Sequence, residues 1–108
     1  MATISADQNY VTNIMVFTTD PGRRQELLDV ILAGEDILNG FPGLVSTTIH
    51  VTDDGARIIS YAQWESKKHL AALRESPALG ENLKQVRELA DDIQFLPCSV
   101  VYSAMKNQ

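Results

Sequence analysis

A chain of 108 residues with 44% hydrophobic and 21% charged residues, six glycines and four prolines is sized for one domain with one core, and its composition is neither repetitive nor disordered. The formal net charge of -5 and a pI near 4.8, with the nine Lys and Arg scattered, argue against a nucleic-acid surface, which concentrates basic residues to neutralise phosphates. A lone cysteine, Cys98, excludes an internal disulfide, and no Cys/His spacing suits zinc, so the expectation is a reducing compartment, no metal, and Cys98 as a small core hydrophobe.

Residues 1–9 carry neither the basic nor the apolar region of a secretory signal and read as a flexible lead. No later stretch approaches the roughly 18 apolar residues of a membrane span, so the cytoplasm is the expected address and no membrane partner is expected. Tyr10 to Thr19 is β-branched and apolar, a first strand ending in the turn chemistry of Asp20-Pro21-Gly22. From Arg23 to Asn39 the residues Leu27, Val30, Ile31, Ile37 and Leu38 recur at helical spacing, with Gly34 on the same stripe and Gly40 placed as a left-handed terminator. Gly34 would let this helix approach the sheet closely, at a propensity cost of about 1 kcal/mol against Ala.

Leu44 to Val51 is a second strand, entered through Phe41-Pro42-Gly43, and Arg57 to Trp64 a third; Asp53-Asp54-Gly55 between them makes a hairpin. Ser66 caps a short helix carrying Leu70 and Leu73. Ser76-Pro77 starts another, with Leu79, Leu83, Val86 and Ala90 on one side. Phe95 to Ala104 reads as a fourth strand, in which Pro97 marks an edge or a bend. The order β-α-β-β-α-β predicts an α+β, ferredoxin-like antiparallel sheet with its helices on one face.

Alternation along the first strand puts Val11, Asn13, Met15 and Phe17 on one face and Thr12, Ile14, Val16 and Thr18 on the other; neither is clearly polar. The third strand repeats this, with Ile58, Ala62 and Trp64 opposed to Ile59 and Tyr61. A sheet with one wet face alternates apolar with polar residues, so two largely apolar faces predict a second cover, a homodimer. A monomer whose Thr and Ser residues tolerate water there is the plainer alternative.

The runs VTNIMVFTTDPGRRQELLDVI, FPGLVSTTIHV and ISYAQWESKKHLAALRESPAL together resemble the antibiotic biosynthesis monooxygenase family of small dimeric α+β barrels. The resemblance rests on Pro42, Gly43 and Ser46 at the entry to strand two, on Trp64-Glu65-Ser66 at the end of strand three, and on Ser76-Pro77; it covers Tyr10 to Tyr102. It implies a cofactor-independent monooxygenase that oxidises a small aromatic polyketide or quinol-type substrate with molecular oxygen. That chemistry needs a dry pocket, an acceptor for a phenolic proton and donors for the developing oxyanion.

The resemblance places Trp64 in the pocket; the alternative is a core or interface aromatic closing strand three. Ser60 stands where the anthrone oxygenases carry asparagine, and its hydroxyl can donate but lacks the amide's reach, which weakens the case for an anthrone substrate. Asn13 is the third catalytic candidate, set against a buried structural amide. Phe17, Met15 and His69 are candidate substrate contacts, His69 competing with a plain surface helix position and lying too close to Trp64 to match the haem-binding histidine of some relatives. Two other readings stand beside oxygenation: a dimer that binds a small metabolite without turning it over, and an isomerase of a small carbonyl compound using His69 or His50 as base.

Overall fold

The computed structural model describes residues 10–104 and 106; the lead at residues 1–9 lies outside them. In chain order these are β1 (Val11–Thr18), α1 (Arg24–Leu38), β2 (Leu44–Val51), β3 (Arg57–Trp64), α2 (Lys67–Ala72), α3 (Pro77–Leu89) and β4 (Asp92–Cys98). Short 3-10 turns precede α1 and follow α2. The four strands form one antiparallel sheet in the order β2-β3-β1-β4, the ferredoxin-like arrangement expected from the element order. Among the described residues no helix is long and apolar enough to cross a membrane.

The register turns the alternation into three cross-strand rows on the helix-covered face. One row is Val51–Ile58–Phe17–Ile93, the next Ile49–Ser60–Met15–Phe95, and the third Thr47–Ala62–Asn13–Pro97. The first row is bulky: Phe17 and Ile58 pack with Leu27 and Ile31 of α1 and Val86 of α3 into the buried core. Each such side chain contributes about 1.5–3 kcal/mol by leaving water. The opposite face presents Ile14, Val16, Ile59, Tyr61 and Leu96, flanked by Thr48, His50 and Gln94. No helix among the described residues packs on it.

Local chemistry sets the element ends. Asp20 accepts from the Gly22 amide at 2.8 Å, so the chain enters a 3-10 turn before α1 rather than a helix at Arg23. Ser66 and Ser76 cap α2 and α3 by accepting from the amides of His69 and Leu79. Asp54 accepts from Thr52 and the Ala56 amide, and Gly55 takes the φ of 73° that the β2–β3 turn requires.

Four expectations need correction. The fourth strand is Asp92–Cys98, not Phe95–Ala104, because pairing begins at Thr18↔Asp92 as soon as α3 ends and reaches Thr12↔Cys98, where β1 has almost run out. Val101 and Tyr102 then stand exposed beyond the strand. Cys98 is exposed on an edge strand rather than packed in the core. The left-handed glycine after α1 is Gly43, at φ 85°, and not Gly40. Gly34 serves a helix–helix contact rather than a helix–sheet one: a Cβ there would strike the side-chain amide of Asn82 on α3, which donates to the Val30 carbonyl at 2.8 Å.

Gly34→Ala should therefore lower the melting temperature despite gaining about 1 kcal/mol of helix propensity. The new methyl displaces the Asn82 amide and strains the α1–α3 contact, together costing more than that gain. The double variant Gly34→Ala/Asn82→Ala should recover most of the loss in thermal unfolding. A Gly34→Ala protein more stable than wild type would contradict the close approach.

Candidate active site

Above the second and third rows the floor is made of small or slender side chains, Ser60, Asn13 and Met15, and the helices do not close down on it. The result is a cavity of about 480 Å³ between sheet and helices. Ile31, Leu38, Leu83 and Val86 contribute apolar wall from α1 and α3; Leu70, Ala71 and Leu73 line the side formed by α2 and the turn after it. A concave, mostly apolar space with few convergent polar groups is the usual form of a small-molecule site.

Four of the six residues singled out in the sequence meet here: Asn13, Ser60, Met15 and Phe17 all line the cavity. β1 and β3 bring them together, since Met15 faces Ser60 directly and Asn13 faces Ala62. Ser60 is 7% exposed. Among the described residues neither the Asn13 amide nor the Ser60 hydroxyl is engaged in a hydrogen bond, so both can serve a ligand.

The other two lie elsewhere. Trp64 shares the strand face but sits one row beyond, opposite Val11 and Leu44, 1% exposed and outside the cavity wall. His69 turns away from the cavity: its Nδ1 lies 2.7 Å from the Ser66 hydroxyl and its ring packs on Gly43, so closely that a Cβ at position 43 would collide with it. That packing and the positive φ both demand glycine there. The Gly43 carbonyl accepts from the Glu65 amide at 2.8 Å, completing a joint between the β2 entry and the start of α2. The α2 residues that do reach the cavity are Lys67, Leu70 and Ala71.

Sequence reasoning missed four polar lining residues: Glu35, Lys67, Arg74 and Asn82. Glu35 is held by Thr47, whose hydroxyl donates to its Oε2 at 2.9 Å. Burial pushes the Glu35 carboxyl above its ordinary value, and the Thr47 hydrogen bond draws it partly back. The signal was present: Glu35 follows Leu27 and Ile31 at four-residue intervals, and Asn82 lies among Leu79, Leu83 and Val86. A polar residue on an apolar stripe is buried for a reason.

The comparisons agree with this architecture. The antibiotic biosynthesis monooxygenase family matches residues 10–85. The chain is 34% identical over 104 residues to tetracenomycin-F1 monooxygenase of Streptomyces glaucescens, covering 95% of this chain and 92% of the relative. Among solved structures, a mutant of SnoaB, a cofactor-independent oxygenase from Streptomyces nogalater, superposes with a TM-score of 0.82 at 17% identity over 91% of this chain and 99% of that one. The ActVA-Orf6 monooxygenase of Streptomyces coelicolor, in complex with nanaomycin D, gives 0.81 at 20% identity over 90% and 92%. At such identities these two structures speak for the fold alone.

A raised carboxyl holds its proton more tightly in the folded than in the unfolded chain. Its stabilising contribution is full below the ordinary carboxylate value and is lost as pH rises through the folded one. Replacing Glu35 by Gln removes that loss. The melting temperature of Glu35→Gln minus that of wild type should thus increase between about pH 4 and pH 7, the range above the ordinary Glu value. A flat or falling difference in thermal melts would contradict a buried, raised Glu35.

Proposed function

The chain belongs to the antibiotic biosynthesis monooxygenase family, and from that premise we propose that it oxidises an aromatic polyketide or quinol-type phenol with molecular oxygen, without a bound cofactor. The observation that carries the reading is the cavity of about 480 Å³, apolar in its walls and floored by the unengaged Asn13 amide and Ser60 hydroxyl. A phenol with a free ring C–H and one dioxygen yields a quinone and one water, so one oxygen atom enters the product and the other leaves as water. Binding the ring among Met15, Phe17, Leu83 and Val86 excludes water. Donors already aimed at the phenolic oxygen then stabilise negative charge as it develops, at no reorganisation cost. Asn13 and Ser60 fill that role, and Phe17 and Met15 supply apolar contact. Trp64 stands one row further along β3, outside the cavity wall.

The relative's activity on tetracenomycin F1 favours a fused-ring aromatic as the substrate class. Oxygen uptake matched by quinone absorbance, with anthrones and quinols offered to the purified protein, is the expected result. Ser60→Ala and Asn13→Ala should each lower kcat by about 10²-fold, the usual cost of one oxyanion donor. Tight binding of these compounds with no oxygen consumed would favour the non-catalytic metabolite-binding reading instead.

The functional unit is a homodimer in this proposal. Ile14, Val16, Ile59, Tyr61 and Leu96 form a contiguous apolar field on the face that carries no helix, and a second copy covers it. Sedimentation at micromolar concentration should give the mass of two copies, and Ile14→Lys should give one. A single-copy mass for the wild-type chain would remove the dimer.

A further inference from the structure

The oxygenation reading leaves one role unfilled: something must take the phenolic proton. The cavity's polar lining consists of Asn13, Ser60, Glu35, Lys67, Arg74 and Asn82. An amide does not accept a proton near neutral pH, a serine hydroxyl is no base without one beside it, and lysine and arginine side chains offer donors rather than acceptors. Among the described residues Glu35 is the one carboxylate on this wall. From its position and hydrogen bonding we propose, on the oxygenation reading, that Glu35 is the catalytic base that deprotonates the substrate phenol.

The geometry suits the task. Thr47 fixes one carboxylate oxygen, Oε2, by donating to it at 2.9 Å, while Oε1 has no partner among the described residues and is free to accept. Thr47 stands in the same cross-strand row as Asn13, with Ala62 between them. Neighbouring strands lie about 4.8 Å apart, so Thr47 and Asn13 are separated by roughly 10 Å of backbone across a floor of one methyl group. A flat fused-ring substrate lying over Ala62 has the anchored carboxylate toward β2, the Asn13 amide toward β1 and the Ser60 hydroxyl in the adjoining row of β3.

In the step itself the phenolic O–H bond breaks, its electron pair stays on oxygen as phenolate, and a new O–H bond forms at Glu35. The phenolate then gives electrons to dioxygen, as the reading already requires. The groups facing the carboxylate work in its favour. Thr47 of β2 stabilises the ionised form, and the raised affinity for a proton brings the base nearer its working pH. Lys67 of α2 and Arg74 of the turn after it, the other charged groups on the wall, favour phenolate over phenol. Asn82 of α3 is spent on Val30 and carries no charge.

The test uses the whole chain and a dihydroxyanthrone as probe. Anaerobic rapid mixing reads the rate at which the phenolate absorbance of the bound probe appears; aerobic turnover reads quinone. Glu35→Gln should bind within about threefold of wild type. The rate of probe ionisation and kcat should each fall about 10²-fold, the lower bound usual for a lost general base, while the ionisation midpoint stays put or falls, because a negative neighbour is removed. Glu35→Asp should fall between, and Asp36→Asn, an exposed neighbour on the same helix, should match wild type. Should Glu35→Gln not fold, Thr47→Val, which frees the carboxylate, carries the same test with a smaller fall in the same rate. A Glu35→Gln protein with the wild-type ionisation rate and kcat would overturn the assignment, as would a wild type that binds the probe without ionising it. A wild type that ionises the probe but consumes no oxygen would sink the oxygenation reading while the ionisation rate still judges Glu35.

Discussion

The site depends on where bulk stops along the helix-covered face of the sheet. Antiparallel register aligns Val51, Ile58, Phe17 and Ile93 in one row, and Leu27, Ile31 and Val86 descend on it to form the core. In the next two rows the central positions are Ser60 with Met15 and Ala62 with Asn13, too small or too slender to fill the space the first row has set between sheet and helices. Packed interiors tolerate few voids, so a hollow this size persists only because the well-filled row props the layers apart. The same feature that holds the fold together therefore opens the pocket.

Polarity inside that hollow is arranged by the layers rather than by any local motif. The sheet offers neutral donors, Asn13 and Ser60, and α1 offers one carboxylate, Glu35, secured by Thr47 of β2. Lys67 and Arg74 add positive charge on the α2 side. A low-dielectric space with donors on one wall and an acceptor on another strengthens each interaction with a bound phenol while keeping water from competing. Asn82 does a different job: it ties α3 to α1 at Gly34, fixing the distance between the helices that roof the cavity.

Much of this architecture is legible in the sequence. The alternation in β1 named the correct faces, so Asn13, Met15 and Phe17 were placed together. Ser60 enters through the resemblance, at the position where the anthrone oxygenases carry asparagine. Trp64 and His69 are expected beside the substrate; Trp64 stands one row beyond the cavity along β3, and His69 bonds Ser66 and packs on Gly43. Sequence spacing gives the face of a strand but not how far along it a cavity extends. Glu35 and Asn82 escaped because the helices were read for their apolar members, when the informative residues were the polar ones sharing those stripes. The end of β4 was misplaced for a similar reason: Val100, Val101 and Tyr102 have strand character, but a strand needs a neighbour, and β1 had run out.

Local periodicity and turn chemistry are properties of adjacent residues, so the sequence by itself determined the order of elements, the serine caps of α2 and α3, the β2–β3 turn at Gly55, and which residues share a strand face. Register between strands, the angle at which α1 and α3 cross the sheet, and the contacts of Glu35 with Thr47 and of Gly34 with Asn82 join residues 12 to 48 positions apart. Only the tertiary structure decided those, because no local preference specifies which distant side chains will meet, and the cavity exists only where they do.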